Sequence, residues 1–470
     1  MIRSFMPRFL FSGLTLCLAI SLIQGPGNTS VYAAQTGTGS QAKTPIEHLI
    51  VLMQENHSFD NYFGTYPGAE GIPAGTCIPV DPFDPNNKEC VKPFHIGDNE
   101  VEPGDLDHSQ RTYALQYNKG KMDGFVYALN LRKQDGRAAL GYYDDRDLPF
   151  YWNLADEYVL FDHFFSSAAG GSFINHVYWV AATSSGNDRL SSESMDHITT
   201  IFDLLEARGI SWKFYVQNYD PDLTYRTVLN YPGNRAAQII WCPLLNMDRF
   251  LDDTRLSSHI VDLDEYYEDL NNDTLPAVAY IVPSGPSEHP PSSLRAGQNF
   301  TRTLIQRLKQ SEAWYNSAFL LAYDDWGGWY DHVTPPQVDK DGYGFRVPAL
   351  LVSPYAKRGY IDKTVLDFTS ILKFIQENWD VEPLSERDAK ANNFTSAFDF
   401  SQAPRSPRFI PAERTTTLSA QQPRRDVLYF AYGGVIMVSI LFFIGAAGGL
   451  GVIRRRLTRS SRAQRGDYQP

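Results

Sequence analysis

Short apolar runs alternate with amphipathic stretches between residues 44 and 400. Turn-forming residues bound each apolar run, which is typical of buried strands. The runs are His48–Met53, Tyr158–Phe161, Ala277–Val282, Ala318–Tyr323 and Val347–Val352. Stretches typical of helices occur at Ile201–Arg208, Asn299–Ser311 and Thr369–Asn378. Strands that alternate with helices predict an α/β domain with a mostly parallel sheet that helices cover on both faces.

A polar group is the next notable feature after four of these apolar runs. In chain order they are Glu55-Asn56, Gly170-Gly171-Ser172, Glu288-His289 and Asp324-Asp325. In open α/β sheets, ligands bind at the carboxyl ends of the strands. We therefore expect these four groups to converge on one crevice.

The two ends of the chain differ from this domain. Residues 1–34 place Arg3 and Arg8 before a short apolar run and end in small residues, which predicts a secretory signal peptide; an N-terminal membrane anchor is the alternative. Residues 427–453 carry no charge and are long enough to predict a transmembrane helix. Residues 401–426 predict a flexible stalk, and residues 454–470 a basic cytoplasmic tail. The expected location is the cell membrane, single-pass, with the catalytic domain outside the cytoplasm.

Composition narrows the possible partners. The chain has 470 residues, with 42 Lys and Arg against 54 Asp and Glu, a net charge of −12. Eight of the basic residues but only one acid lie in the terminal segments, so residues 35–426 carry 34 minus 53, a net charge of −19. Such a surface repels a nucleic-acid backbone, and we expect no nucleic-acid partner.

The cysteines agree with export. Cys77 and Cys90 lie close together in a loop rich in Pro, Asp and Asn, and we expect a disulfide that clamps this loop. Cys242 is then unpaired, and it is read as a buried small hydrophobic residue, since nothing nearby would lower its pKa.

The acidic groups predict a cation site. Asp324 and Asp325, placed beside Glu55 and Asn56, give an oxygen-rich set that suits a hard divalent cation, or zinc if a nitrogen ligand joins. An isolated Asp-Asp pair, however, is often only a solvated turn. The identity of the metal stays open.

Ser172 follows a glycine pair and opens a predicted helix. A helix start offers free N–H groups that suit a phosphate, and a cation can lower the pKa of a hydroxyl enough for it to attack phosphorus. The alternative is that Ser172 only caps the helix. Three histidines beside acids, His108, His289 and His332, could hold phosphate oxygens or donate protons, or could simply be hydrogen-bonded surface residues.

Two long motifs carry a family resemblance. Ile46 to Gly68, with the segment QENHSFDNYFG, and Tyr323 to Pro336, with YDDWGGWYDHVTPP, resemble the bacterial phospholipase C and acid phosphatase family of phosphoesterases. The resemblance spans about residues 44 to 380 and implies an alkaline-phosphatase-like sandwich around a central sheet. It also implies a divalent metal ion and a hydroxyl nucleophile.

The resemblance assigns roles to individual residues. It implies Glu55, Asn56, Asp324 and Asp325 as metal ligands and Ser172 as the nucleophile. It implies Asn175 as a substrate-binding residue, and His108, His289 and His332 as the histidines around the phosphate. The sequence departs from the family pattern at His57 and His176, where arginine is common, at Gly171, where proline is common, and at Asp325, where glutamate is common.

These observations predict an exported, membrane-anchored, metal-assisted phosphoesterase. The leading expectation is phospholipase C-type cleavage of phospholipid head groups. One alternative is an acid phosphatase that acts on soluble phosphomonoesters. Another, of a different class, is a catalytically silent surface-binding protein whose aromatic residues Trp326, Trp329 and Tyr330 hold a glycan or a partner.

Overall fold

The computed structural model describes residues 42–98, 104–184, 186, 189–228, 237–285 and 287–414. The predicted leader, membrane helix and basic tail lie outside these residues. Among the helices in the described ranges, none combines the length and the apolar character needed to cross a bilayer.

Strands and helices alternate along the described chain. The strands are β1 His48–Gln54, β2 Ile78–Pro79, β3 Cys90–Val91, β4 Phe94–His95, β5 Gly141–Tyr142, β6 Val159–Phe161, β7 Trp212–Val216, β8 Ile260–Asp262, β9 Val278–Val282, β10 Ser317–Tyr323, β11 Ala349–Val352 and β12 Tyr360–Asp362. The α-helices are α1 Phe59–Phe63, α2 Gln110–Tyr117, α3 Phe125–Leu131, α4 Pro149–Glu157, α5 Ser172–Ala181, α6 Ile201–Arg208, α7 Ala237–Trp241, α8 Asp248–Asp252, α9 Thr254–Ser257, α10 Asp264–Asn272, α11 Leu294–Gln310, α12 Phe368–Trp379 and α13 Glu386–Lys390.

Eight strands form a central sheet in the order β12-β6-β11-β10-β1-β9-β7-β8. All neighbouring pairs are parallel except the two that involve β11. The five predicted strands are all members of this sheet, and the predicted α/β class with a mostly parallel sheet is confirmed. The centre of the sheet is buried on both faces: every residue of β9 and β10 is buried.

Helix α6 shows how the sequence sets an element boundary. The side chain of Thr200 accepts a hydrogen bond from the backbone N–H of Asp203, whose carboxylate in turn accepts from the N–H of Thr200. This reciprocal cap satisfies two donors that the helix start leaves unpaired. Gly209, with φ of 66°, ends the helix in the left-handed conformation that glycine adopts at least cost. The helix therefore has the predicted bounds.

The start of the predicted stalk differs from the expectation. Residues 401–414 lie against the domain: the indole N–H of Trp314 donates to the carbonyl of Arg405 at 2.9 Å, and Lys309 donates to the carbonyl of Arg408 at 3.1 Å. Ile410 is buried. A segment rich in Pro, Ser and Arg can still be ordered when the domain surface supplies donors to its carbonyl groups. The rest of the predicted stalk lies outside the described residues.

Two cysteines clamp a loop, as the sequence predicts. Cys77 and Cys90 form a disulfide with Cα atoms 5.4 Å apart, at the base of the two-stranded ladder of β2 and β3. Cys242 is a free cysteine and is buried. Burial raises the pKa of its thiol well above the ordinary value, so this side chain is an apolar core residue.

Candidate active site

The sheet brings two acidic segments side by side. Strands β1 and β10 are parallel neighbours, and Gln54 pairs with Tyr323, the last residue of β10. Glu55-Asn56 and Asp324-Asp325 therefore leave the same edge of the sheet together. The backbone N–H of Asp324 donates to the carbonyl of Gln54 at 3.1 Å, which continues the register into the loops.

Asn56 and Gly327 lock these two loops together. The N–H of Asn56 donates to Oδ1 of Asp324 at 2.9 Å, and Asn56 has φ of 63°. A Cβ at Gly327 would lie 2.1 Å from the carbonyl oxygen of Asn56, so only glycine permits this approach. Residues other than glycine rarely adopt this left-handed backbone conformation, and the neighbours of Asn56 impose it here.

Glu55, Asn56, Asp324 and Asp325, here called the carboxylate cluster, are fully buried. Within the described part of the chain, no hydrogen-bond partner is found for Oε2 of Glu55, for either amide atom of Asn56 or for Oδ2 of Asp324. Burial first, and then the charges of Asp324 and Asp325, raise the pKa of Glu55 well above its ordinary value. Buried, unpaired oxygens with no positive charge among them fit a divalent cation, which would satisfy all of them at once.

His176 is a candidate ligand that sequence reasoning did not assign. Its Nε2 lies 2.9 Å from Oε1 of Glu55 and 3.9 Å from Oδ2 of Asp324, and the ring is buried. Burial lowers the pKa of His176 to about 4, so the ring is neutral and can act as a nitrogen ligand. One ligand atom from each of Glu55, His176 and Asp324 lies within 4.8 Å of the others. The signal in the sequence was its spacing, because a residue four positions after Ser172 lies on the same helix face.

Ser172 lies at the edge of the carboxylate cluster. It is the first residue of α5, and Gly171, not Ser172, occupies the N-cap position. The hydroxyl of Ser172 donates to Oδ2 of Asp325 at 3.3 Å, and Oδ1 of the same carboxylate accepts from the N–H of Gly327 at 2.7 Å. The side chain of Ser172 is therefore turned toward the acids instead of capping its own helix.

Asn175 holds the loop before Ser172. Its Oδ1 accepts from the N–H of Ala168 at 2.9 Å, and its Nδ2 donates to the carbonyls of Gly170 and Gly171, each at 3.0 Å. These bonds occupy the carboxamide on both sides. Asn175 thus positions the loop before Ser172 in this structure, and its contact with substrate stays a prediction.

A cavity of about 440 Å³ opens beside Ser172, and His108 also lines it. Nδ1 of His108 lies 2.7 Å from the carbonyl of Leu106, and the rings of His108 and His289 are 6.2 Å apart. Burial lowers the pKa of His108, but the negative charges of Asp325 and Asp105 outweigh burial and raise that pKa to about 9. The structure therefore brings Ser172, His108 and His289 to one region, with His108 able to carry a proton.

His332 lies in a different group of residues. Its Nδ1 is 2.7 Å from Oδ2 of Asp60, and the fully buried guanidinium of Arg346 contacts Oδ1 of Asp60 at 3.1 Å and Oδ1 of Asp331 at 2.9 Å. We call Asp60, Asp331, His332 and Arg346 the arginine cluster. The contacts found for His332 among the described residues join it to this cluster and not to Ser172, so its catalytic role stays a prediction.

The aromatic residues after Asp325 are not a binding surface. Trp326 and Trp329 are completely buried, and Tyr330 is 6% exposed. They belong to a second core that contains Phe125 and Phe345, and the indole N–H of Trp326 donates to Gln116. The alternative in which these three rings hold a glycan or a partner is wrong, because the rings pack in the core and expose almost no surface for binding.

Comparison with known proteins decides the family. The model of the Phosphoesterase family matches residues 46–382, which is most of the chain. The chain belongs to the Phosphoesterase family. This membership confirms the resemblance seen in the two sequence motifs and assigns the chain to the hydrolases that act on phosphoric esters.

Several relatives of this phosphoesterase are named phospholipases. Non-hemolytic phospholipase C of Pseudomonas aeruginosa is 29% identical over 420 residues, which cover 77% of this chain and 58% of that protein. Phospholipase C B of Mycobacterium tuberculosis is 29% identical over 456 residues, covering 82% and 83% respectively. Non-specific phospholipase C3 of Arabidopsis thaliana is 28% identical over 371 residues, covering 70% and 67%.

Solved structures also align with this phosphoesterase. A protein in the alkaline phosphatase superfamily from Vibrio parahaemolyticus matches with a TM-score of 0.36 and 12% identity, covering 75% of this chain and 71% of that one.

Proposed function

We propose that this chain is a phospholipase C-type phosphoesterase in which Ser172 is the nucleophile. The observation that carries the proposal is the hydrogen bond from Ser172 to Asp325, which joins the hydroxyl at the cavity wall to a buried cluster that fits a divalent cation. Relatives named phospholipase C in bacteria and a plant support the reaction class.

The residues of the chain supply most of the chemistry. Oγ of Ser172 forms a bond to phosphorus while the ester P–O bond to the leaving alcohol breaks. Oδ2 of Asp325, which already accepts the hydroxyl hydrogen, takes the serine proton, and protonated His108, with the ring of His289 beside it, donates a proton to the leaving oxygen. Water then attacks phosphorus and gives a proton to His108 while the bond from Oγ of Ser172 to phosphorus breaks, and Asp325 returns its proton to Oγ. A cation held by Glu55, Asn56, Asp324 and Asp325, with His176 as a nitrogen ligand, would lower the hydroxyl pKa and offset charge on the phosphoryl oxygens.

The substrate proposed first is a phospholipid diester. Its support is the set of phospholipase relatives together with the sequence of residues 1–34 and 427–453, from which we propose export and a single membrane anchor. A tether would hold the domain close to lipid. A soluble phosphomonoester is the second candidate, since residue types around Ser172 suit either ester.

Hydrolysis assays on the full chain in detergent test the proposal. The substrates are a chromogenic phosphomonoester and a phosphocholine diester, each assayed with added Mg²⁺, Ca²⁺, Mn²⁺ or Zn²⁺, and the variant is Ser172→Ala. Ser353→Ala is the control, since the hydroxyl of Ser353 donates to the carbonyl of Ser317 at the opposite edge of the sheet. We expect diester cleavage to fall by about 10³-fold or more in Ser172→Ala and to persist in Ser353→Ala.

Each other outcome has its own meaning. A preference for the monoester moves the function to a phosphatase. Activity that survives in Ser172→Ala removes the serine from its proposed role. Absence of hydrolysis with every ion contradicts the proposed function.

A further inference from the structure

Glu288 is a buried acid that the proposed chemistry does not use. It is completely inaccessible to solvent. Three tyrosine hydroxyls donate to its carboxyl group: Tyr62 and Tyr323 to Oε2 at 2.6 Å each, and Tyr151 to Oε1 at 2.5 Å. We call these four residues the tyrosine cage. Such a complete set of donors around one buried acid needs a reason beyond filling space, because burying a carboxyl group is costly.

Each of the three tyrosines donates its hydroxyl hydrogen to Glu288. Burial, and then the charge of Glu288, raises the pKa of Tyr62, Tyr151 and Tyr323 well above the ordinary value. The hydroxyls therefore stay protonated near neutral pH and can donate to the carboxyl group. Donors from α1, α4 and β10 hold this group in one position.

The cage joins the segments that build the candidate active site. Glu288 directly precedes His289, and Tyr323 directly precedes Asp324. Tyr62 lies on α1, which begins three residues after Asn56. Glu288 thus joins three segments that contain proposed catalytic or metal-binding residues: its own segment, and those of Tyr323 and Tyr62, to which its carboxyl group is hydrogen-bonded.

Backbone bonds reinforce the same connection. The N–H of Glu55 donates to the carbonyl of Ser287 at 3.0 Å, and Nε2 of His57 donates to the carbonyl of Glu288 at 3.1 Å. The segment that carries Glu55 is therefore hydrogen-bonded on one side to the segment that carries His289 and on the other, through Asn56, to Asp324.

The site around Glu288 is built at some cost. Glu288 has φ of 64°, a left-handed conformation that a glutamate rarely adopts. A Cβ at Gly297 of α11 would lie 2.0 Å from Cγ of Glu288, so the missing side chain of Gly297 makes room for the acid. Strain of this kind persists only where the surroundings impose it.

We propose that Glu288 is a positioning residue, which holds the 55–57, 287–289 and 323–325 segments in the register that metal binding and phosphoryl transfer require. The inference rests on the function proposed above. Glu288 acts through Tyr323, Tyr62 and its own neighbour His289, and it touches neither substrate nor the reacting atoms.

The test compares Glu288→Gln with a matched variant elsewhere in the sheet. Asp269 is also a buried acid with three side-chain donors: the hydroxyl of Tyr215 and the ammonium of Lys213 at 2.7 Å each, and the hydroxyl of Thr274 at 2.8 Å. It lies on α10 beside the far strands β7 and β8, so Asp269→Asn removes a similar network without touching the candidate site. Titration calorimetry with Mn²⁺ or Zn²⁺ on the full chain in detergent gives metal affinity without reference to activity, and steady-state kinetics give kcat and KM.

We expect Glu288→Gln to weaken metal binding by about tenfold or more and to lower kcat by about 10- to 100-fold with KM nearly unchanged. We expect Asp269→Asn to bind metal and to turn over like the wild type. Equal metal affinity and kcat in the two variants would overturn the proposal. If Glu288→Gln does not fold, Tyr62→Phe removes one of the bonds through which Glu288 is proposed to act, and Tyr215→Phe removes the corresponding bond to Asp269. Loss of metal affinity in Tyr62→Phe alone supports the same role, whereas wild-type affinity in Tyr62→Phe overturns it.

The two proposals fail in different ways. A wild-type chain that binds the metal but hydrolyses neither ester contradicts the proposed function. In that case the metal affinities of Glu288→Gln and Asp269→Asn still decide whether Glu288 positions the site.

Discussion

Two buried acidic clusters lie close together in sequence and differ in one respect. The carboxylate cluster and the arginine cluster both use the loop after β1 and the loop after β10, and their acids are 0 to 1% exposed. In the arginine cluster, the guanidinium of Arg346 contacts Asp60 and Asp331 directly. Among the described residues, no lysine or arginine pairs with Glu55 or Asp324. The arginine cluster carries its own cation, whereas the carboxylate cluster needs one from outside the chain.

The presence or absence of an arginine gives the two clusters different roles. Burying acids with an arginine fixes the two loops in place, and Arg346 also donates to the carbonyls of Glu70 and Asp162. In the carboxylate cluster, no arginine among the described residues pairs with Glu55 or Asp324. Their buried oxygens therefore remain available to a cation, next to the hydroxyl of Ser172. Similar composition therefore gives a scaffold in one place and a candidate catalytic centre a few residues away.

The largest expected effect comes from breaking the arginine cluster. Asp331→Asn leaves the buried charge of Arg346 incompletely paired and should lower the free energy of unfolding by about 3 to 5 kcal/mol. Asp324→Asn, in contrast, should leave stability unchanged or raise it in metal-free buffer, since it removes one of several crowded negative charges. Urea unfolding of both variants in EDTA measures the two changes. An equal loss in both would erase the distinction between the clusters.

Added metal should stabilise Asp331→Asn more than Asp324→Asn. A cation that binds only the folded chain stabilises it by about 3 to 4 kcal/mol at 100 to 1,000 times its dissociation constant. We expect this gain in the wild type and in Asp331→Asn, and a much smaller one in Asp324→Asn. Thermal unfolding with EDTA and then with excess Mn²⁺, Zn²⁺, Ca²⁺ or Mg²⁺ measures it. A gain that persists undiminished in Asp324→Asn would place the metal elsewhere.

The histidines sharpen the comparison next. His108 lines the cavity with Ser172, whereas His332 contacts Asp60 in the arginine cluster. His108→Ala should lower kcat/KM for a phosphate ester by about 10²-fold through loss of proton transfer. His332→Ala should reduce stability but change kcat/KM only a few-fold at a temperature where it stays folded. A loss in His332→Ala as large as in His108→Ala would return His332 to the catalytic role that the sequence predicts.

The sequence predicted the parts of this molecule that depend on local pattern. Helix α6 has the predicted bounds, and the acidic pair lies at the end of β10, because capping residues and apolar runs act over a few positions. Strands β7 and β8 were not predicted, since Trp212–Val216 carries Lys213 and Ile260–Asp262 is only three residues long. These strands form by pairing with β9 and with each other, which is a long-range contact.

The candidate site shows the same division. The motifs gave Glu55, Asn56, Asp324, Asp325 and Ser172, and the structure brings these residues together. The motifs did not assign a role to His176, Arg346 or Glu288, because those roles depend on contacts with side chains that are distant in the sequence. His332 illustrates the converse, since it lies in the same motif as Asp324 but the chain turns between them, and it packs with Asp60.

A third buried acid, Glu288, extends the comparison and gives the smallest expected effect. It has neither an arginine nor an open cation site, only three tyrosine donors. Burial raises its pKa to about 7, although the bonds from Tyr151, Tyr323 and Tyr62 lower it. Between pH 4.5 and about 7, the carboxyl group of Glu288 is therefore protonated in the folded chain and ionised in the unfolded chain, where its pKa is the ordinary 4.5. The resulting stabilisation is full below pH 4.5 and is lost as the pH rises through about 7.

Glu288→Gln has no such titration. The stability of the wild type relative to Glu288→Gln should fall by about 1 kcal/mol for each pH unit between 4.5 and 7 and be constant outside that window. Urea unfolding of both chains across pH 4 to 8 in EDTA measures this difference. A difference that does not change with pH would mean that the tyrosine hydroxyls offset the cost of burial completely, so that three neutral donors stabilise a buried carboxylate as well as Arg346 does.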